Sequence, residues 1–294
     1  MSHTKESVLN HQASRQLAKL AEAVHGCGYY PNEIKDFNNR GFRGWWHAYF
    51  AYRSAPLGHA SEKMVTATFY NFAPRMVAKS IPSCWEIMSP ATVRSTHLEL
   101  IDQAMHRIFN DKQFEPSFKV AHNILRSIGD KLPVAGRPLF ASWASEVWPE
   151  DSMLAVWHGV TLLREFRFDG HNIALLAGDL DPTECHVMMA ADGRGDPATI
   201  QKIRGWTIEE WQHAAARLRH RGLIDENGKQ TDAGLVARKN IEHHTDRLAS
   251  SIVAVLADDV ESLLKLLSLF SDHLLSSGEI PGIWPPPNVA ALTE

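Results

Sequence analysis

Apolar residues recur at spacings of three and four along most of the chain, while strict alternation is confined to short runs. That pattern predicts a mainly helical protein. Ser7 to Val24 reads as one helix, stopped by Gly26 and Gly28. Gly44 to Tyr52 reads as a second. It carries Trp45, Trp46, Tyr49, Phe50 and Tyr52 on both sides, and a helix that is apolar all round is buried. Met64 to Ser80 opens with β-branched residues and turns helical around Pro74, and Ala91 to Phe109 is a long amphipathic helix. Residues 128–150 are rich in Gly, Pro and small side chains and predict a linker. This divides the chain into an N-terminal degenerate winged-helix domain (1–127) and a C-terminal winged-helix domain with flanking helices (151–294). Asp151 to Phe168 is helical again, and the tail from Gly278 carries four prolines that exclude regular helix.

The sharpest local reading lies between Asp181 and Asp246. Glu184 to Ala191 is a helix ended by Gly193, and Pro197 to Arg204 is a short helix with proline in its first turn. Gly205 makes a turn, and Thr207 with Glu210 forms a capping box that opens a helix running to His220. In GLIDENGKQTDAG, Asn227–Gly228 marks a hairpin between two short strands, and Thr231 caps a long helix. Helix, short helix, helix, hairpin, long helix is the winged helix-turn-helix order. Pro31, Ile34, Gly41 and Trp46 recur as Pro197, Ile200, Gly205 and Trp211 at offsets of 164 to 166 residues. The expected fold is therefore mainly α with short β wings, with duplicated winged helix-turn-helix units forming a pseudo-dimer.

Charge changes the picture. The chain has a formal net charge of -4, without the basic excess usual in a domain that grips nucleic acid. Between Thr207 and Gln230, Arg217, Arg219, Arg221 and Lys229 are balanced by Glu209, Glu210, Asp225 and Glu226. Thr207, Gln212, Arg217, Arg219 and Lys229 are the residues placed to touch DNA, an interaction that the charge disfavours. The three cysteines (Cys27, Cys84 and Cys185) form no CxxC pair, which points to reduced thiols in a cytoplasmic protein. No apolar run is long enough for a membrane span, and the polar first residues contain no signal core. The sixteen histidines are scattered, so no metal and no cofactor is expected.

Candidate chemistry centres on the helix 153–168. At 100° per residue, Met153, Val156, Trp157, Val160 and Leu163 share one apolar face. His158, Thr161 and Glu165 fall opposite, where solvent is the simple expectation. Arg164 and Arg167 project from within the apolar face, and a buried guanidinium needs a partner. Glu165, Asp169, Glu242 and Asp246 could supply it internally, or an anionic ligand could, because arginine clamps carboxylate or phosphate bidentately. Asp169 and His171 follow the helix as a candidate acid–base pair. The candidate ligand-binding or catalytic residues are Trp45, Tyr49, Arg53, Tyr70, Asn71, Trp157, His158, Arg164, Glu165, Arg167, Asp169 and His171.

RGFRGWWHAYFAYRSAPLG (40–58), VTATFYNFAP (65–74), PVAGRPL (133–139), LREFRFDGH (163–171) and RGWTIEEW (204–211) resemble a bacterial helix-turn-helix family of actinobacterial type, often called SalK-like. The resemblance covers nearly the whole chain. It implies a helix-turn-helix fold and a regulatory role, with no assigned ligand. Phe166 and Phe168 stand where the family segment has His and Gly, so chemistry resting on that histidine is not expected here. Two functions remain open. One is a winged-helix regulator with a pocket for a small, anionic molecule between the duplicated units. The other is an enzyme of specialised metabolism on a scaffold that no longer binds DNA, holding an anionic substrate by arginine.

Overall fold

The computed structural model describes residues 2–281, with side chains described from residue 11. Helices of seven residues or more are α1 (Ser2–His25), α2 (Trp45–Ser54), α3 (Glu62–Phe69), α4 (Pro90–Ile108), α5 (Glu115–Leu125) and α6 (Pro138–Ala144). They are followed by α7 (Ser152–Ala177), α8 (Glu184–Ala191), α9 (Pro197–Arg204), α10 (Ile208–His220), α11 (Asp232–Ala249) and α12 (Val260–Ser276). The prolines after Ile280–Pro281 lie outside the described residues.

The longest helix, α7, is the axis of the fold. It packs against α1, α4, α5, α6 and α11, and α1 in turn packs against α12. Asp151 starts it, its Oδ1 accepting the backbone N–H groups of Met153 and Leu154 at 2.9 Å each. One core surrounds α7 and includes Leu17, Phe50, Phe118, Trp157, Phe166 and Phe270. Leu139, Phe140 and Trp143 of α6 belong to the same core, so the stretch 128–150 carries buried anchors. A second cluster (Leu180, Val187, Met188, Ala214, Leu218, Ile224 and Ile241) fills the helix-turn-helix unit and is seated on Ala174 and Leu175 of α7.

Helix boundaries in that unit follow the sequence closely. The Thr207 capping box is present in full, with Glu210 N–H donating to Thr207 Oγ1 and Thr207 N–H donating to Glu210 Oε2. Gly205 ends α9 in the left-handed region at φ 77°, and Thr231 caps α11.

The β wings are not there. No strand occurs among the described residues, and the expected hairpin is a turn with one antiparallel bridge, Ile224 to Gln230. Asp225 explains its shape. Its carboxylate Oδ1 accepts the N–H groups of Asn227 and Lys229, while its backbone N–H donates to Lys229 O. Thr231 is already the cap of α11, so the return limb is too short for a ladder.

The first half contains no wing among the described residues. Gly41 repeats the left-handed turn at φ 97°, but α2 runs on into a short 3-10 turn and then α3, which takes up the β-branched residues. The duplicated winged units and their pseudo-dimer are therefore replaced by one all-helical assembly around α7.

At Gly159, α7 packs tightly against α5. A Cβ there would lie 2.7 Å from Leu125 Cβ, and Leu125 is fully buried. Gly159→Ala would gain about 1 kcal/mol in helix propensity, but overpacking costs about 1–3 kcal/mol, and the rigid Cβ contact gives the clash the larger share. Thermal unfolding is expected to show a lowered midpoint. A raised midpoint would contradict this packing.

Candidate functional site

Arg53 of α2 reaches α7 through the core. Its Nη2 donates to Glu165 Oε2 at 3.2 Å and its Nη1 donates to the Tyr49 hydroxyl at 2.7 Å. Arg164 joins from the neighbouring position, its Nη1 donating to Glu165 Oε1 at 2.7 Å and its Nε to Glu22 of α1 at 3.1 Å. Glu165 is fully buried and Arg53 is 3% exposed. Burial disfavours the Glu165 carboxylate, but the two guanidinium groups outweigh it and hold its pKa below the usual range. Burial also opposes charge on Arg53 and Arg164; Glu165 raises the pKa of Arg53, and Glu22 with Glu165 raises that of Arg164. Phe69 and Phe168 cover the Arg53 guanidinium at 4.4 and 4.7 Å.

Beside this network the surface opens into a cleft of about 820 Å³ between α1, α7, α11 and the end of α12. Arg164, Arg167, Phe168 and His171 line it, spaced as one stripe along α7. Arg194, from the loop between α8 and α9, and Arg238 of α11 face them, and Tyr29 and Tyr30 add an aromatic wall. Arg167 pairs with Asp246 at 3.0 Å and with Glu242 at 3.3 Å, while Arg238 pairs with Glu242 at 2.5 Å. His171 Nδ1 lies 2.9 Å from Thr245 Oγ1, and that hydroxyl donates to Ile241 O at 2.8 Å. The Thr proton is thus committed, so neutral His171 carries its proton on Nδ1. Burial, with Arg238, Arg167 and Arg194 nearby and against the pull of Glu242, pushes the His171 imidazole down to about 4.

The other candidate residues are dispersed. Trp45 and Tyr49 stack at 5.0 Å in the aromatic cluster of α2, and Trp157 is buried with its indole N–H donating to His25 O. Tyr70 donates to Leu180 O, and Asn71 Oδ1 accepts from Arg204 Nη1 at 3.1 Å, so both attach the first half to the helix-turn-helix unit. Asp169 and His171 both lie within α7 and form no pair. Asp169 accepts the Phe140 N–H at 2.9 Å, and burial, opposed by that N–H, raises its carboxyl to about 7. His158, Thr161 and Glu165, expected to meet solvent, are all fully buried because α6 and α1 cover that side of α7. Sequence reasoning missed Tyr30, Arg194 and Arg238 in the cleft. The Arg238 and Glu242 pair at helical spacing was the available signal for the last.

Of the residues expected to touch DNA, Gln212 and Lys229 are exposed and Thr207 is occupied with capping. Arg217 is bound by Asp181 and Glu184, and the Arg219 Nε is buried without a hydrogen bond. The start of α10 is docked against the first half. Arg75 bonds both Gly205 O and Glu210, and Ala73 N–H donates to Arg204 O at 2.9 Å. One group of potential metal donors converges among the described residues: Asp102, His106 and Asp151, all partly exposed, with Asp151 also capping α7. No helix of the described residues is long and apolar enough to cross a membrane.

A family model described as a helix-turn-helix family matches residues 14–281. The chain belongs to this family. Neither a comparison with curated proteins nor one with solved structures finds a match. The family match spans the packed helices around α7 as well as the helix-turn-helix unit, so the cleft lies within the family's common extent.

Two variants test the energetics. Glu165→Gln leaves two guanidinium groups without their shared anion, and breaking such a buried pair costs about 3–5 kcal/mol. Urea unfolding should show that loss, whereas a change within error would mean the network is hydrated. His158 is fully buried, neither ring nitrogen has a hydrogen bond, and burial with Arg94 and Arg126 nearby pushes it down to about 3 from 6.5. Between those values the unfolded chain binds the proton and the folded chain does not, so this group makes stability fall as pH drops from 6.5 toward 3. His158→Leu should raise stability at neutral pH by about 1–2 kcal/mol and flatten the acid slope. Urea midpoints at neutral and mildly acid pH measure both.

Proposed function

We propose that this protein is a small-molecule-binding helix-turn-helix regulator whose ligand occupies the cleft beside α7. One observation carries the reading. Arg167 and His171 of α7, Arg194 from within the helix-turn-helix unit and Arg238 of α11 line the same cleft. A ligand held there touches both the main core and the unit named for DNA binding. Its differential affinity for two positions of that unit would be the coupling that a regulator needs. The cleft size is that of ordinary small-molecule sites.

The alternative reading, an enzyme on a scaffold that no longer binds DNA, has its own support. Glu210 at the start of α10 is tied to Arg75, and Arg217 is tied to Asp181 and Glu184. Base contacts would begin at that helix start, and those arginines would meet phosphate.

Binding to nonspecific duplex DNA, titrated across salt concentration, separates the two. A regulator acting on DNA should bind measurably at low salt and weaken steeply as salt rises, because bound phosphates release counterions. No binding even at low salt would sink the regulatory reading and favour the enzyme.

A further inference from the structure

The cleft's charges point to the kind of ligand it takes. At its inner end Arg15, Arg167 and Arg238 surround Asp246 and Glu242, three cations against two carboxylates. Toward the other end, Arg53 and Arg164 are matched by Glu165 and Glu22, and Arg194 is matched by Asp192. Lys19 and Asp272 at the rim offset one another. One positive charge is left over, which suits a single negative charge rather than a phosphate dianion. Arg167 Nη1 is buried without a hydrogen bond, so that guanidinium has a donor the protein does not use.

His171 adds a second feature. Its Nδ1 proton goes to Thr245, which leaves the ring's lone pair on Nε2. The imidazole is held neutral, so Nε2 is an uncharged acceptor beside arginines whose carboxylate partners are already engaged. The third feature is apolar: Tyr30 and Phe168 face the cleft, with Leu20, Leu275 and Ile280 beyond them.

We infer that the cleft binds an aromatic monocarboxylic acid bearing a hydroxyl or amino hydrogen-bond donor. The carboxylate sits at Arg167 and Arg238, the donor meets His171 Nε2, and the ring lies along Tyr30 and Phe168. This rests on the proposed reading only in placing the ligand in this cleft.

The test is calorimetric titration of the full chain with para-hydroxyphenylacetate, -propionate and -butyrate, beside the methyl ester and para-methoxy form of each, and with tyramine. At least one acid should bind about tenfold or more tightly than its ester, as expected for a charge-assisted arginine contact. It should also bind more tightly than its methoxy form, and tyramine should be weakest. Arg194→Ala, an exposed change that the fold should tolerate, and Arg167→Gln should each weaken the acid. His171→Phe should erase the preference for hydroxyl over methoxy.

The inference is overturned if no acid binds, if ester or amine matches the acid, or if Arg167→Gln and Arg194→Ala leave affinity unchanged. Hydrogen exchange over residues 184–220 in the same complexes keeps the two claims apart. An acid that binds without altering exchange there supports this inference and overturns the regulatory coupling. DNA binding without any acid binding does the reverse.

Discussion

Glu165 is a carboxylate with no access to water, on the middle turns of the longest helix, and two arginines from different directions keep it charged. Arg53 ties it to α2, and Arg164 extends the tie to Glu22 of α1. Such a network is a weak source of net stability, because three desolvations oppose the attraction. Its force is as a constraint: any rotation of α7 strands a charge in the core. With Glu165 fixed inward between α2 and α1, helical geometry leaves Arg164, Arg167, Phe168 and His171 no choice but to share the adjoining stripe. That stripe is the wall of the cleft. The ion pair thus sets the register in which everything else on α7 is presented.

A second constraint holds the helix-turn-helix unit. Its small core rests on Ala174 and Leu175 at the end of α7 and on Ile241 of α11. Its turn is pinned by Arg75, by the Ala73 N–H, and by Met76, which lies where a Cβ at Gly205 would be 2.9 Å away. The unit is therefore anchored at both ends, and the point at which a DNA-reading helix would begin its contacts faces the protein's own first half. Exposed Ile208, Glu209, Gln212 and His213 remain on the outer side of α10, with no cationic character to attract a phosphate backbone. Motion of this unit would require breaking Arg75–Glu210 and the Tyr70–Leu180 bond together.

The parts legible in the sequence were those that local chemistry decides. Thr207 with Glu210, Asp151, Thr231 and left-handed Gly205 each announce a helix end through backbone groups only a few residues away. That the chain belongs to a helix-turn-helix family was legible too. Tertiary packing decided the rest. Asn227–Gly228 did make a turn, but Asp225 closed it so tightly that no ladder could follow. Met64 to Phe69 became helix despite its β-branched residues, because Val65 and Phe69 had a core to enter. The wheel for α7 identified Arg164 and Arg167 as anomalous and named Glu165, Glu242 and Asp246 among their partners. It failed for His158, Thr161 and Glu165 itself, placed toward solvent, because it assumed one covered face, whereas helices pack around this one on several sides.

His171 shows how those constraints add up to chemistry. Its position on the stripe is inherited from Glu165, its tautomer from Thr245, and its neutrality from burial beside three arginines. A second cation at that place would repel the guanidinium groups, so the imidazole is least costly as the neutral form. The consequence is a polar lining with a direction. Arginine donors share the lining with the carboxylates that they pair with, a neutral imidazole acceptor sits beside them, and aromatic rings form a further wall. A cleft with a uniform cationic lining would hold any anion in any orientation. This lining is not uniform, because carboxylates interrupt it and the same residue that could have been a further cation is held as an acceptor.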